Sequence, residues 1–235
     1  MHLILIEYKA MDSMFDTLLQ LPLFQGMTLD DLTMIVEKAK MHFEKRKQGE
    51  VIEQAGTTCS QFTFILKGEV EVTTVSPDGV YAFTEYFSSP YLIEPQSLFG
   101  LYTTYASTVR AIGEVATVRI DKPTIAQVLF NYEIFRLNYQ NIISGRAQNL
   151  QRKLWVTPAG LLRERIAQFF LIHLERPVGR KVVKIKMDNL AQIVNETRLN
   201  VSKVLNQMQD EGVLSLHRGE IEIYEASLLL DNERV

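Results

Sequence analysis

The spacing of apolar residues changes period twice along the chain. Ser13–Leu21 and Thr28–Lys40 repeat apolar positions at helical intervals. In the second segment Leu29, Leu32, Ile35, Val36 and Ala39 share one face, and Thr28 is placed to cap the helix ahead of Asp30 and Asp31. Gly49–Ile52, Phe62–Leu66, Glu69–Val75 and Val80–Phe87 then read as short strands. Turn residues divide them at Ala55-Gly56, Lys67-Gly68 and Ser76-Pro77-Asp78-Gly79. Val109–Ala111 and Val115–Ile120 add two more around Gly113. Short strands at such spacing predict an antiparallel barrel or jelly roll.

From Pro123 the period returns to helical. Ile125–Phe130 reads as a short helix and Tyr132–Trp155 as a long one with no proline. Along the long helix Ile143, Ala147, Leu150 and Leu154 form a seam suited to a partner helix, and a second copy of the chain is the expected partner. The alternative is a helix lying on its own domain. Thr157 and Pro158 end or bend it and open a helix over Pro158–Leu174. After a break at Glu175–Gly179, Val182–Ile185 reads as a strand, Asp188–Val194 as a short helix and Arg198–Glu211 as a longer one. Val213–Leu216 and Ile221–Tyr224 form a hairpin across His217–Glu220. The predicted class is α+β: a β-barrel or jelly-roll domain with N-terminal helices (1–122), connecting helices that include the dimerisation helix (123–156), and a winged helix-turn-helix (157–235). The fold is expected to begin near Asp12, with the first ten residues an upstream extension.

Composition narrows the chemistry. The net charge of the 235-residue chain is −3, so any affinity for nucleic acid must come from local charge. The lone cysteine, Cys59, forms no intramolecular disulfide and cannot alone hold a zinc or iron–sulfur centre. It fits a reducing cytoplasm, the expected location. Neither His42 nor Cys59 lies in a haem-ligand motif, and no metal or other cofactor is expected. No apolar run reaches the roughly 20 residues that span a bilayer. No nucleophile elbow, phosphate-binding loop or dinucleotide fingerprint is present, so no catalytic residue is assigned and no enzyme is expected.

The stretch Asn189–Gly212 has the form of two helices joined by a tight turn. Leu190, Ile193 and Val194 supply the inward face of the first, and Val201, Val204, Leu205 and Met208 that of the second. Asn195 tolerates the positive φ such a turn requires, and Thr197 is a good N-cap. Arg198, Leu199, Asn200, Ser202 and Lys203 then fall on the outer side near the N-terminus, where a recognition helix presents side chains to DNA. Arg198 can bind guanine and Asn200 adenine or a phosphate. Thr197, Ser202 and Lys203 can hold phosphates. Arg176–Asn206 carries a net +5, including Lys186, and Arg218 adds a cation at the hairpin tip.

These residues make the chain resemble the CRP/FNR family of bacterial transcription regulators. Arg165-Ile166-Ala167-Gln168, Leu190–Val194, Thr197-Arg198, Val201–Leu205 and Gly212-Val213-Leu214 resemble its DNA-binding domain. Leu23–Met27, Gly49–Ile52 and Ile65–Val70 resemble its cyclic-nucleotide-binding barrel. The resemblance implies a homodimer on double-stranded DNA, with half-sites about one helical turn apart. RNA polymerase and a small-molecule effector are further candidate partners. Family members that bind cyclic AMP grip its phosphate with an Arg-Ser pair. Here Glu94 matches the ribose-binding glutamate, but Tyr105-Ala106 stands at the pair and Arg110 lies in a strand beyond it. A buried phosphate without a cation is costly, which argues against cyclic AMP and leaves the effector unassigned. Leu199 replaces the family's frequent base-reading glutamate, so a different operator is expected. The competing reading is a cyclic-nucleotide-binding-like module that acts through protein partners.

Overall fold

The computed structural model describes residues 15–155 and 160–229. The proposed upstream extension and the Thr157-Pro158 junction lie outside them. Two compact units form: residues up to Val70 together with Phe87–Leu150, and Glu71–Tyr86 together with the chain from Gln151. This cuts the chain differently from the expected three-part division, because a hairpin from the first half belongs to the second unit.

In the first unit α1 (described over 15–20) and α2 (Leu29–Lys38) precede the strands. Thr28 caps α2, its Oγ1 accepting from the Asp31 amide at 3.1 Å. The strands of the first half of the chain are β1 (Met41–Arg46), β2 (Val51–Glu53), β3 (Gln61–Lys67), β4 (Glu69–Val75), β5 (Tyr81–Ser88), β6 (Tyr91–Leu92), β7 (Ser107–Ala111) and β8 (Val115–Asp121), with most of β4 and β5 belonging to the second unit. One antiparallel sheet has the order β1-β8-β3-β6, and β2 pairs with β7. Strand β1 escapes the hydrophobic pattern because it is a charged sheet edge. It is held in register by main-chain pairing with β8 and by Arg119, whose guanidinium lies 3.2 Å from Glu44. Phe24, Phe62, Phe64 and Phe135 fill the core, with Phe24 edge-on to Phe135 at 5.1 Å. The turn between β3 and β4 needs Gly68: its φ is +97°, and a Cβ would sit 2.6 Å from the Glu114 carbonyl oxygen.

Asp121 caps α3 (Lys122–Gln127), which starts three residues before the predicted helix. The long helix α4 spans Glu133–Leu154. Its first half lies on its own unit: Phe135 is buried, Asn138 Nδ2 donates to the Gln25 carbonyl at 2.9 Å, and Tyr139 packs on Phe62 at 5.7 Å.

The second unit holds α5 (Leu162–His173), β9 (Lys181–Ile185), α6 (Met187–Ile193), α7 (Arg198–Asp210), β10 (Leu214–His217) and β11 (Glu220–Ile223). Helix α5 starts at Leu162, four residues after the predicted Pro158, with Leu161 extended at its N-cap. Its strands run β10-β11-β9-β5, so a strand from the first half of the sequence completes the sheet. Tyr81↔Ile185 through Glu85↔Lys181 pair antiparallel. Phe83 enters a core otherwise built from C-terminal residues such as Phe170, Val183, Leu205 and Ile221. The ring of His173 stacks on Phe83 at 4.8 Å. His173 Nδ1 donates to the Phe169 carbonyl, which leaves Nε2 to accept from the Tyr81 hydroxyl at 2.9 Å.

At the end of this pairing Lys181 is buried, with its ammonium 3.0 Å from Glu85. The Glu85 carboxylate also accepts from the amides of Glu175 at 2.6 Å and Arg176 at 3.3 Å. These three partners of the carboxylate all come from the C-terminal half. Glu85→Ala leaves a buried cation and two amides without their acceptor and should cost about 3–5 kcal/mol in chemical denaturation. Lys184→Ala, on the exposed side of the same strand, should stay within about 0.5 kcal/mol. Equal stability of the two variants would contradict this role for Glu85.

Candidate nucleic-acid interface and sensor pocket

The turn between α6 and α7 is built as its residues require. Asn195 sits at φ +50°, and the Glu196 amide returns to the Ala191 carbonyl at 2.9 Å. Thr197 caps α7, its Oγ1 accepting from the Asn200 amide at 3.3 Å. Val201, Leu205 and Met208 bury one face of α7. On α6 the inward residues are Leu190 and Ala191, followed by Val194. Ile193 is 41% exposed, a correction to the expected apolar face: α6 is short, and its inner surface fits the small Ala191.

The outer face carries the predicted residues. Thr197, Arg198, Leu199, Asn200 and Lys203 are exposed, and Ser202 is half-buried. Leu199 is 79% exposed, which no packing within the chain accounts for. Lys186 lies exposed at the N-cap of α6, and Arg218 at the two-residue tip between β10 and β11. The Arg198 guanidinium is 3.6 Å from Asp188, and both side chains are well exposed, so this ion pair is weak and easily exchanged for another anion.

Sequence reasoning missed Glu196. Its carboxylate accepts from the Thr197 amide at 2.9 Å and from Asn200 Nδ2 at 3.0 Å, and it lies 3.2 Å from Arg165. The Thr197 amide first, then Asn200, hold its carboxyl below the usual range. The signal was available: an acid immediately before an N-cap meets the positive end of a helix. The local charge is also redistributed. Lys181 is buried against Glu85 and Arg180 binds Glu222, so these cations of the +5 stretch serve the fold.

In the first unit the three predicted pocket residues come together. Glu94, with φ +35°, is 4% exposed. Its carboxylate accepts from the Ala106 amide at 2.8 Å, the Ser107 amide at 2.8 Å and the Ser97 hydroxyl at 2.9 Å. The Ala106 side chain is exposed, whereas Tyr105 is buried and its hydroxyl donates to the Gln61 carbonyl. Burial raises the pKa of the Tyr105 hydroxyl, and the neighbouring Cys59 adds to the effect. Burial likewise raises that of Cys59. Arg110 donates to the Gly49 carbonyl at 2.6 Å. A second buried acid, Glu53, was not foreseen. It accepts from Thr63 at 2.6 Å and lies 3.4 Å from Arg119. A single glutamate at a strand end gave no periodic signal.

The far half of α4 is exposed. Ala147, Leu150 and Leu154 face solvent, the two leucines at 62% and 83%, and Ile143 is half-buried. Among the described residues no helix is long and apolar enough to cross a membrane.

A strand-rich unit with a buried, hydrogen-bonded glutamate and a unit with a helix-turn-helix and a hairpin make up the described chain. The family model for the cyclic nucleotide-binding domain matches residues 43–132, and that for the Crp-like helix-turn-helix domain matches 164–231. The chain is 23% identical over 210 residues to the cyclic AMP receptor protein of Thermus thermophilus, covering 88% of this chain and 94% of that protein. The crystal structure of the Thermus thermophilus catabolite activator protein shares the fold with TM-score 0.52 and 20% identity, over 89% of this chain and 97% of that one. A transcriptional regulator of the Crp/Fnr family from Eubacterium rectale does so with TM-score 0.52 and 16% identity, over 92% and 99%. The chain belongs to the CRP/FNR family of transcription regulators. Members of this family bind DNA as homodimers and are not enzymes.

Proposed function

We propose that the chain binds a two-fold DNA site as a homodimer, with α7 of each protomer in a major groove. The observation that carries this reading is the outward row Arg198, Leu199, Asn200 and Lys203 at the start of a helix whose opposite face is buried. Arg198 donates to guanine O6 and N7, and Leu199 packs on a thymine methyl. Asn200 serves adenine or a phosphate. Thr197, Ser202 and Lys203 hold the phosphates beside the helix, with Lys186 and Arg218 outside them. Leu199 in place of a glutamate removes the acceptor for cytosine, so the operator differs from the family's common half-sites. A cytoplasmic setting follows from such a target. RNA polymerase is a candidate partner once the dimer is on its operator.

The second copy packs along Ile143, Ala147, Leu150 and Leu154. The exposure of two leucines one helical turn apart supports this seam. The reading in which the winged helix serves protein partners instead is not favoured, because the row at the start of α7 is mostly cationic and polar, with Leu199 its one apolar member.

Affinity for the operator should fall steeply with salt, with a log–log slope near −0.9 per phosphate contact. Lys203→Ala should lower that slope by about 1 and weaken all sequences alike, whereas Arg198→Ala should cost about 1–3 kcal/mol on the operator and relax one base pair. Titration of labelled duplexes across a salt series measures both. Salt-independent binding, or an Arg198→Ala chain that discriminates as well as the parent, would contradict the assignment. Leu150→Ala with Leu154→Ala should raise the monomer fraction in sedimentation equilibrium, and an unchanged dimer constant would place the interface elsewhere.

A further inference from the structure

We propose that Glu94 is the sensor domain's own anionic ligand: its carboxylate occupies the anion seat in which a cyclic nucleotide would place its phosphate. This rests on the reading of the first unit as a cyclic-nucleotide-binding domain, in which the stretch Tyr105-Ala106 stands at the phosphate-gripping pair.

The seat is a pair of consecutive main-chain amides. The amides of Ala106 and Ser107 point the same way, and each gives a 2.8 Å hydrogen bond to a different oxygen of one carboxylate. The Ser97 hydroxyl adds a third donor at 2.9 Å. Two adjacent N–H groups with a hydroxyl suit a phosphate as well as they suit a carboxylate. Here they are already used. Glu94 makes these bonds at φ +35°, a left-handed conformation unfavourable for a non-glycine residue. That cost is tolerated because three charge-assisted hydrogen bonds offset it. The carboxylate is buried, so a phosphate brought beside it would meet a like charge in a poorly screened site. No arginine stands at Tyr105 to balance two anions, and Arg110 is turned to the Gly49 carbonyl.

Two properties follow. Residues 94–107 are tied together by the Glu94 carboxylate without an added nucleotide. DNA affinity is therefore insensitive to cyclic nucleotides.

The test uses the full chain, with thermal unfolding and duplex titration read in parallel, in the presence and absence of cyclic AMP and cyclic GMP. Neither nucleotide should raise the unfolding temperature of the parent or change its DNA affinity at millimolar concentration. Glu94→Ala should unfold lower by on the order of 5–10 °C. Acetate, compared with chloride at equal ionic strength, should recover part of that loss by refilling the seat. Glu94→Gln keeps the shape but turns an amide group toward an N–H donor, and should also unfold lower than the parent. Stabilisation of the parent by either nucleotide would overturn the proposal. So would a Glu94→Ala or Glu94→Gln chain as stable as the parent, or an Ala variant that acetate does not help. The unfolding measurement stands without DNA, so absence of DNA binding would count against the function proposed above and leave the seat tested on its own.

Discussion

The buried ammonium of Lys181 sets the terms for the DNA-reading unit. A cation taken out of water needs a carboxylate with good geometry, and the nearest one in this chain is supplied by Glu85, 96 positions earlier. That pairing fixes the register of β5 on β9 and seats Phe83 among residues of the C-terminal core. The helix-turn-helix therefore rests on a sheet that residues 164–231 do not complete by themselves. The segment Glu71–Tyr86 is continuous in the chain with the strands of the sensor domain.

On this support α7 is presented by short-range devices. Asn195 makes the turn, Thr197 caps the helix, and Glu196 ties the cap to Arg165 and Asn200. These contacts are largely exposed, so each contributes little to stability. Their value lies in orientation: Asn200 is held by a carboxylate, while Arg198 lies 3.6 Å from the exposed Asp188 and Leu199 is largely exposed. The helix offers a row of groups whose own needs are incompletely met within the protein, which is the condition for reading a groove.

The helix-turn-helix was legible in the sequence because period, cap and turn residue agreed within some twenty positions. The outer row from Thr197 to Lys203 followed from that agreement. The pairing of β5 with β9 was not legible, since no local signal joins Glu85 to Lys181. Lys181 even entered the expected basic footprint, although it faces the core. Strand β1 was hidden by its charges, and Ile193 was assigned inward where Ala191 takes the place. In the sensor domain the substitution at Tyr105-Ala106 was plain from the sequence. The turn of Glu94 into the amides of Ala106 and Ser107 was not, because it depends on a backbone conformation that glutamate seldom adopts.

Selection of binding sites from a random double-stranded DNA library, run with the parent and with Leu199→Ala, tests the central claim most directly. Enrichment of a two-fold sequence is predicted, with half-sites about one helical turn apart. One thymine preference in each half-site should be lost in the variant. No enrichment by the parent, or identical sites from both chains, would contradict the placement of α7 in the major groove.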